Sequence, residues 1–261
     1  MKGIILAAGQ GTRLKKYTKN LPKGMLLFAG KTIIERQIEL FRTCGVNDIV
    51  IITGFAADTI TYPDVSYYHN PDFASTNMVE SMLCAKNEFT DDAIVSYSDI
   101  LYSEEMLTGM INSLHDFTVA VDVDWKTYWK SRYGRIDFDT ESLVLDPNGN
   151  IVSLGRENPP IDEIDARYIG LLKFTKKGLE EISRIYEGDY EEYLNKPWKQ
   201  SGKHIRQAYM TDLLQALIEG GFTVSAEKFS NGWIEFDTNE DYETATKWLE
   251  TGKISEFIEI K

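Results

Sequence analysis

Short apolar runs alternate with amphipathic segments along the first half of the chain. Residues 2–9 form an apolar run that ends in glycine, which predicts a buried strand. Residues 32–44 carry apolar positions at helical spacing, and Gly45 is suited to end a helix there. Residues 47–54 form a second apolar run. A strand, a helix and a strand at this spacing predict a βαβ unit and a parallel sheet.

The alternation continues along the rest of the chain, with a change of character in the middle. Residues 143–154 have the pattern of a β-hairpin, because Asn148 and Gly149 are a favoured turn pair between apolar runs. The other predicted strands lie near residues 65–69, 92–97, 116–123, 167–174, 222–226 and 233–236. The other predicted helices lie near residues 77–88, 103–114, 175–186, 208–219 and 239–249. We predict a single α/β domain over residues 1–261, with a Rossmann-like, mostly parallel open sheet flanked by helices and a small antiparallel insertion at about 125–170.

Composition and charge narrow the range of functions. The chain carries 28 Lys and Arg against 41 Asp and Glu, a net charge of −13. This acidity argues against a general nucleic-acid binder, which needs a basic surface. No apolar run approaches the roughly 20 residues of a membrane span, so we expect no membrane segment and a cytoplasmic location. The first 34 residues nevertheless hold seven cations and no acid, which favours a local anion site there.

A glycine-containing loop follows the first predicted strand. Gly9 and Gly11 would let backbone N–H groups approach phosphate oxygens without side-chain obstruction. A dinucleotide-binding fingerprint would need a third glycine where Leu14 stands, so that interpretation is weak. A Walker-type loop around residues 30–32 would need glycine in place of Met25 and a preceding strand, so we discard it. The remaining interpretation joins the loop to cations close behind it in the sequence.

These residues carry a family resemblance. Residues 6–13 (LAAGQGTR), followed by Thr18 and Lys23, resemble the signature of the nucleotidyltransferases that activate sugar phosphates and phosphocholine. Asp99 stands where this family has a metal-binding aspartate after a central strand. Residues 233–238 (WIEFDT) resemble its late metal-binding segment. The resemblance extends over nearly the whole chain, and it implies a nucleotidyltransferase.

Details of these motifs favour one branch of the family. Sugar-nucleotide members usually have glycine where Asp237 follows Phe236, and the form found here is similar to the choline-phosphate and phosphonate cytidylyltransferase branch. Asn70 and residues 77–81 also resemble that branch. The resemblance implies Mg²⁺-dependent transfer of CMP from CTP to a small acceptor such as phosphocholine or 2-aminoethylphosphonate, with release of pyrophosphate. Relatives are often dimers, so it also suggests a homodimer.

The resemblance implies a role for each matched residue. Arg13 and Lys23 would contact the triphosphate and its transition state. The nucleotide-binding candidates are Leu6, Ala7, Ala8, Gly9, Gly11, Thr12, Asn77, Ser81 and Ser98. Asp99, Glu235 and Asp237 would offer Mg²⁺ hard oxygen ligands. Alternatively, Asp99 is a turn residue or helix cap, and Asp237 caps the last helix.

An aromatic and charged segment at residues 121–133 is the candidate acceptor site. Trp125 and Trp129 would suit a cationic head group, but four-residue spacing equally suits two core residues on one helix. Asp122 and Asp124 alternate along a strand, so at most one should reach a shared site. The acceptor-binding candidates are Asp122, Asp124, Trp125, Trp129, Arg132, Tyr168 and Lys173, the last two from a segment that resembles the acceptor-facing part of the family.

Two alternatives to a cytidylyltransferase stay open. A sugar-1-phosphate nucleotidyltransferase that uses UTP, dTTP or GTP would share the same loop and cations. A non-catalytic nucleotide-binding regulatory protein would keep the fold and lose the chemistry. The joint presence of two cations and three candidate metal ligands argues against the second, because a simple binder does not need paired metal acids.

Overall fold

The computed structural model describes residues 1–260. The helices are α1 (Ile33–Thr43), α2 (Met78–Leu83), α3 (Glu104–Asn112), α4 (Trp125–Tyr133), α5 (Lys176–Asp189), α6 (Met210–Glu219) and α7 (Asn239–Thr251). The strands are β1 (Lys2–Ala7), β2 (Leu27–Phe28), β3 (Lys31–Thr32), β4 (Asp48–Thr53), β5 (Ser66–His69), β6 (Ala93–Tyr97), β7 (Ile100–Tyr102), β8 (Phe117–Asp122), β9 (Glu141–Leu145), β10 (Asn150–Glu157), β11 (Arg167–Phe174), β12 (Val224–Phe229) and β13 (Trp233–Glu235).

A nine-stranded sheet organises the molecule, in the order β5-β4-β1-β6-β11-β8-β12-β10-β9. The strands β1, β4, β5 and β6 run parallel, as the alternation of strands and helices predicted. The predicted α/β class with a mostly parallel sheet is therefore confirmed. β11 lies antiparallel between β6 and β8, and the local sequence pattern did not predict this pairing.

Apolar side chains cover both faces of the sheet. All six residues of β1 are buried, because helices or loops pack on each side of it. Successive side chains of a strand point to opposite faces, so Ile4 and Ile5 belong to two different core clusters. The helix α1 begins at a capping box in which Thr32 accepts from the Glu35 N–H and Glu35 accepts from the Thr32 N–H.

The predicted antiparallel hairpin is present as β9 and β10. Its turn contains Gly149 with φ of +87°, a backbone conformation that favours glycine. β10 pairs with β12, so the hairpin extends the main sheet instead of standing apart from it. Among the described residues, no helix is long and apolar enough to cross a membrane.

The chain direction places several loops at one edge of the sheet. The carboxyl ends of β1, β6 and β8 and the amino end of β11 share this edge. In open α/β sheets, ligands bind at the carboxyl ends of the parallel strands. This edge is where the candidate residues are brought together.

Candidate functional site

Two cavities meet at this edge. One, of about 280 Å³, lies beside the glycine loop after β1. The other, of about 540 Å³, lies beside the starts of β9 and β11. Their shared wall is formed by Arg13, Lys23, Met78, Tyr97 and Asp99. Ligands bound in the two cavities would therefore meet beside two cations and a carboxylate.

Lys23 is the centre of the shared wall. Its Nζ lies 3.0 Å from Oδ2 of Asp99 and donates a second hydrogen bond to Oδ1 of Asp237. Burial lowers the pKa of Lys23, but the two carboxylates outweigh burial, so the pKa lies above its usual range and the ammonium stays charged. Gly11 lies against the stem of this side chain. A Cβ at Gly11 would come within 2.3 Å of Cγ of Lys23, and φ there is +65°.

Asp99 lies in the sharp connection between β6 and β7. Gln37 is 2% exposed and donates through Nε2 to the carbonyl oxygens of Tyr97 and Ile100 at 2.8 and 2.7 Å. The side chain of Gln37 thus fixes the backbone on both sides of Asp99. The cap of α3 is Ser103, which accepts from the Met106 N–H, so Asp99 is not the cap of that helix.

Asp237 is brought beside Asp99 by the pairing of β13 with β7. The backbone N–H of Phe236 donates to the carbonyl oxygen of Asp99 at 2.9 Å. Thr238, not Asp237, caps α7, with Asp241 completing the capping box. The Asp237 carboxylate is therefore available to Lys23 and to Arg13, whose Nη2 lies 2.5 Å away.

Arg132 holds the late segment in place from within the core. Its Nε and Nη2 both lie 2.7 Å from the carboxylate of Asp241, and its Nη1 lies 2.6 Å from Glu235. Burial raises the pKa of Glu235, but the Arg132 guanidinium outweighs burial and holds that pKa below its usual range. The predicted contact between Arg132 and the acceptor is therefore wrong, because its donors are engaged in buried ion pairs.

The carboxylates around Lys23 fit a hard divalent cation. Burial and the neighbouring Glu235 raise the pKa of Asp237, although Lys23 acts in the opposite direction. Mg²⁺ is usually held by one or two carboxylates together with substrate phosphates and water. Asp99 and Asp237 fit this requirement. Glu235 is already paired with Arg132, and no cluster of three or more metal-ligating side chains is found in residues 1–260.

The smaller cavity collects most of the predicted nucleotide-binding residues. Those that line it are Leu6, Ala8, Gly9, Gly11, Thr12, Asn77, Ser81 and Ser98. Ala7 does not, because strand alternation directs it into the core cluster on the other face. That the others bind a nucleotide stays a prediction, which their shared position beside Lys23 supports.

The predicted aromatic acceptor site is wrong for the two tryptophans. Trp125 and Trp129 are 1% and 0% exposed, and their rings pack against one another, with Trp129 also packing against Trp233. Their four-residue spacing therefore marks a core pair. Trp129 contacts a residue of the larger cavity, because the guanidinium of Arg167, which lines that cavity, lies 4.5 Å from the ring centre of Trp129.

The remaining acceptor candidates divide between the cavity and the rest of the fold. Tyr168 lines the larger cavity, where its hydroxyl donates to that of Tyr97 at 3.0 Å. Asp122 is fully buried and accepts from the indole N–H of Trp233 at 2.9 Å, so it is structural.

Asp124 and Lys173 do not line either of the two cavities. Asp124 accepts from Thr127 in the first turn of α4. Lys173 lies near the carboxyl end of β11, at the opposite edge of the sheet, and its Nζ donates to the carbonyl oxygen of Ser113 at 2.9 Å. The predicted acceptor contacts of these two residues and of Asp122 are therefore wrong.

The larger cavity has charged residues that the sequence interpretation did not single out. They are Asp139, Glu141, Glu157 and Arg167. Arg167 directly precedes Tyr168, in the segment that resembles the acceptor-facing part of the family. The acids of the hairpin carry no local signal, because acids on a strand at a sheet edge are ordinarily solvated.

Comparisons with known proteins agree with this geometry. Residues 3–145 match the family model described as the MobA-like NTP transferase domain. The chain is 35% identical to the CTP:phosphoglutamine cytidylyltransferase of Campylobacter jejuni over 93% of its own length and 98% of that protein. It is 32% identical to the choline-phosphate cytidylyltransferase of Streptococcus pneumoniae over 59% of its own length and 68% of that protein.

Solved structures show the same fold. The CTP:phosphocholine cytidylyltransferase of Streptococcus pneumoniae superposes with a TM-score of 0.74 at 24% identity, covering 95% of this chain and 98% of that one. The inositol-1-phosphate CTP transferase of T. maritima superposes with a TM-score of 0.68 at 20% identity, covering 99% and 98%. The sequence match and the convergence of Arg13, Lys23, Asp99 and Asp237 identify the chain as a nucleotidyltransferase of the MobA-like NTP transferase family.

Proposed function

We propose that this protein transfers CMP from CTP to a small phosphorylated or phosphonylated acceptor and releases pyrophosphate. The observation that carries the proposal is the wall shared by two cavities, which contains Lys23, Arg13 and Asp99. A donor cavity and an acceptor cavity must meet at the reacting phosphorus, and these residues supply the charges needed there. The 35% identity to a CTP:phosphoglutamine cytidylyltransferase over nearly all of both chains supports CTP and a phosphorylated acceptor.

The proposed reaction is a substitution at the α-phosphorus of the nucleoside triphosphate. An anionic oxygen of the acceptor's phosphoryl or phosphonyl group forms a bond to the α-phosphorus. The bond from the α-phosphorus to the bridging oxygen breaks, and pyrophosphate leaves with that electron pair. The attacking oxygen is already ionised near neutral pH, so the reaction needs no general base, and the site needs no histidine. Catalysis then depends on positioning and on stabilising negative charge.

The described residues have distinct tasks in this reaction. Lys23 and Arg13 neutralise charge on the transferring group, and Lys23 is kept protonated by its two carboxylate neighbours. The backbone of the loop at Gly9 and Gly11 surrounds the phosphates. Asp99 would hold Mg²⁺, with Asp237 completing the protein ligands, and the ion would supply electrophilic activation of the phosphates.

Pyrophosphate release tests the proposal. Purified protein is incubated with Mg²⁺, with ATP, CTP, GTP, UTP or dTTP in turn, and with phosphocholine, 2-aminoethylphosphonate, phosphorylated glutamine or glucose-1-phosphate. We expect release with CTP and an amine-bearing acceptor. Release only with glucose-1-phosphate and UTP or dTTP would overturn the proposal in favour of sugar activation. Lys23→Ala should slow release on the order of 100- to 1000-fold. Lys19→Ala, at an exposed lysine on the same segment, serves as its control.

A further inference from the structure

The acceptor cavity carries charges of both signs away from the shared wall. Glu141, Glu157 and Arg167 line this cavity and do not line the smaller one. The phosphoryl group of the acceptor must lie at the junction, where Lys23 and Arg13 already provide cations. The charges farther into the cavity therefore face the other end of the acceptor.

Arg167 is a cation with unused donors. Its Nε and Nη1 are buried and have no hydrogen-bond partner among the described residues. Its guanidinium packs on the ring of Trp129, which fixes the plane of the group. Burying a charged donor without a partner is costly, so an arginine in this state is expected to gain an anionic partner from the ligand.

Glu141 and Glu157 form an unusual pair. They are directly opposite one another on the antiparallel strands β9 and β10, and both line the cavity. Like charges at opposed positions of two strands destabilise a sheet. The carboxylate of Glu141 has no hydrogen bond or ion pair within residues 1–260, and the attraction of Arg167 offsets only part of this cost. A positively charged group of the ligand would relieve it.

Few acceptors satisfy both features together. A choline head group carries a cation and would leave Arg167 without an anion. A sugar phosphate carries neither charge at its far end and would leave both the acid pair and the guanidinium uncompensated. An α-amino acid head group carries an ammonium and a carboxylate on one carbon, which matches the two charges that face the cavity.

On the basis of the proposed function, we infer that the acceptor is a phosphorylated compound with an α-amino acid head group. Arg167 binds its carboxylate, and the Glu141–Glu157 pair binds its ammonium. The phosphorylated end then lies at the junction with the nucleotide cavity. Arg167 and Glu141 are thus specificity-determining residues, distinct from the groups that act on the α-phosphorus.

Three matched acceptors test this inference. They are glutamine phosphorylated on its side-chain amide, the same compound without its α-carboxylate, and the same compound without its α-amino group. We expect kcat/KM with CTP to fall on the order of 10- to 100-fold on loss of either group, the ratio that one charged hydrogen bond supports. Arg167→Gln should erase the preference for the carboxylate only, and Glu141→Gln the preference for the ammonium only. Arg156→Gln, an exposed arginine on the neighbouring strand β10, should change neither preference.

The possible outcomes separate this inference from the proposed function. Equal turnover of the three acceptors would overturn the inference and leave cytidylyl transfer intact. An equal loss for all three in Arg167→Gln would also overturn it, because Arg167 would then act on the phosphorylated end. Absence of pyrophosphate release with these compounds, phosphocholine, 2-aminoethylphosphonate and glucose-1-phosphate would overturn both. The KM for CTP and the thermal unfolding midpoint show whether each variant keeps its donor cavity and fold.

Discussion

A lysine surrounded by carboxylates lies at the centre of the proposed reaction. Lys23 contacts Asp99 and Asp237, and Arg13 also contacts Asp237. A buried cation needs such partners, because the fold would otherwise bear the cost of an uncompensated charge. When phosphates enter, they offer the same cations new anionic partners. Under the proposed function, these cations would exchange part of their contact with the carboxylates for contact with the triphosphate.

Removal of Lys23 is the sharpest test at the residue scale. Lys23→Ala should lower kcat on the order of 100- to 1000-fold, as expected for loss of one group that stabilises transition-state charge. The physical reason is that no other described lysine reaches the shared wall of the two cavities. Initial rates of pyrophosphate release measure the effect, with Lys19→Ala as the control. A Lys23→Ala rate within a factor of two of wild type would remove Lys23 from the mechanism.

The Glu141 carboxylate, which we propose binds the acceptor, should lower the stability of the fold at neutral pH. Burial raises its pKa above the ordinary value of 4.5, because the attraction of Arg167 does not offset desolvation and the nearby Asp139. An acid with a raised folded-state pKa costs stability above that pKa, and the cost vanishes below the unfolded-state value. Glu141→Gln should therefore be more stable than wild type at neutral pH, and the difference should shrink as pH falls through 4.5. Urea unfolding across this range measures it, and a less stable variant at neutral pH would contradict the assignment.

At the scale of elements, the helices α4 and α7 support the site from behind. Arg132 on α4 binds Asp241 in the first turn of α7 through two nitrogens and reaches Glu235 with the third. Asp241 also accepts from the backbone N–H groups of Asp237 and Thr238. One guanidinium thus fixes the backbone that carries Asp237. This explains why an arginine that never meets the substrate has a buried position so near the reaction.

Arg132→Met tests this support. It should cost about 3–5 kcal/mol of unfolding free energy, because it leaves two buried carboxylates without their cation. Arg132→Lys should recover part of the loss, since it restores the charge but not the two-nitrogen contact. Arg135→Met on an exposed ion pair nearby should cost no more than about 1 kcal/mol. Equal urea midpoints for Arg132→Met and Arg135→Met would rule out the proposed support.

The sequence predicts the positions of most helices and strands, but not which strands pair or which helix faces meet the core. Apolar periodicity located most helices and strands within a few residues, because each buries one face or both, but it did not predict α4 or the short strands β2, β3 and β7. The antiparallel entry of β11 between β6 and β8 depends on long-range pairing, which no local pattern records. Trp125 and Trp129 show the same limit. Helical spacing brings them to one face, but only the packing of α4 decides whether that face meets the core or a ligand.

At the scale of the whole molecule, the sheet gathers two cavities at one edge. The glycine loop follows β1, Asp99 follows β6, and Arg167 begins β11. The motifs for the nucleotide cavity were predictable because one continuous segment carries most of them. The acceptor cavity combines a hairpin, a strand start and the beginning of α6 at Tyr209, which come from distant parts of the sequence. The predicted acceptor contact of Lys173 was wrong because the direction of β11 places this residue at the opposite edge of the sheet.

Metal removal tests the convergence of distant carboxylates at this edge. Chelation of Mg²⁺ should abolish pyrophosphate release, because Asp99 and Asp237 converge where the triphosphate is expected. Asp99→Asn should raise the Mg²⁺ concentration required for half-maximal release, whereas the exposed Asp58→Asn should not. Full release in the presence of excess chelator would contradict the assignment of these residues to a metal.

The bond formed by the enzyme is the most direct test of the account. A ³¹P NMR spectrum of the reaction with CTP, Mg²⁺ and phosphorylated glutamine should show pyrophosphate and a new anhydride in equal amounts. The new anhydride should link the phosphorus of CMP to that of the acceptor. With Lys23→Ala, both signals should grow on the order of 100- to 1000-fold more slowly. Free CMP with pyrophosphate would mean that water, not the acceptor, attacks the α-phosphorus. CDP with inorganic phosphate would mean that the bond to the γ-phosphoryl group is broken instead. Either result would contradict transfer between two cavities that meet at Lys23.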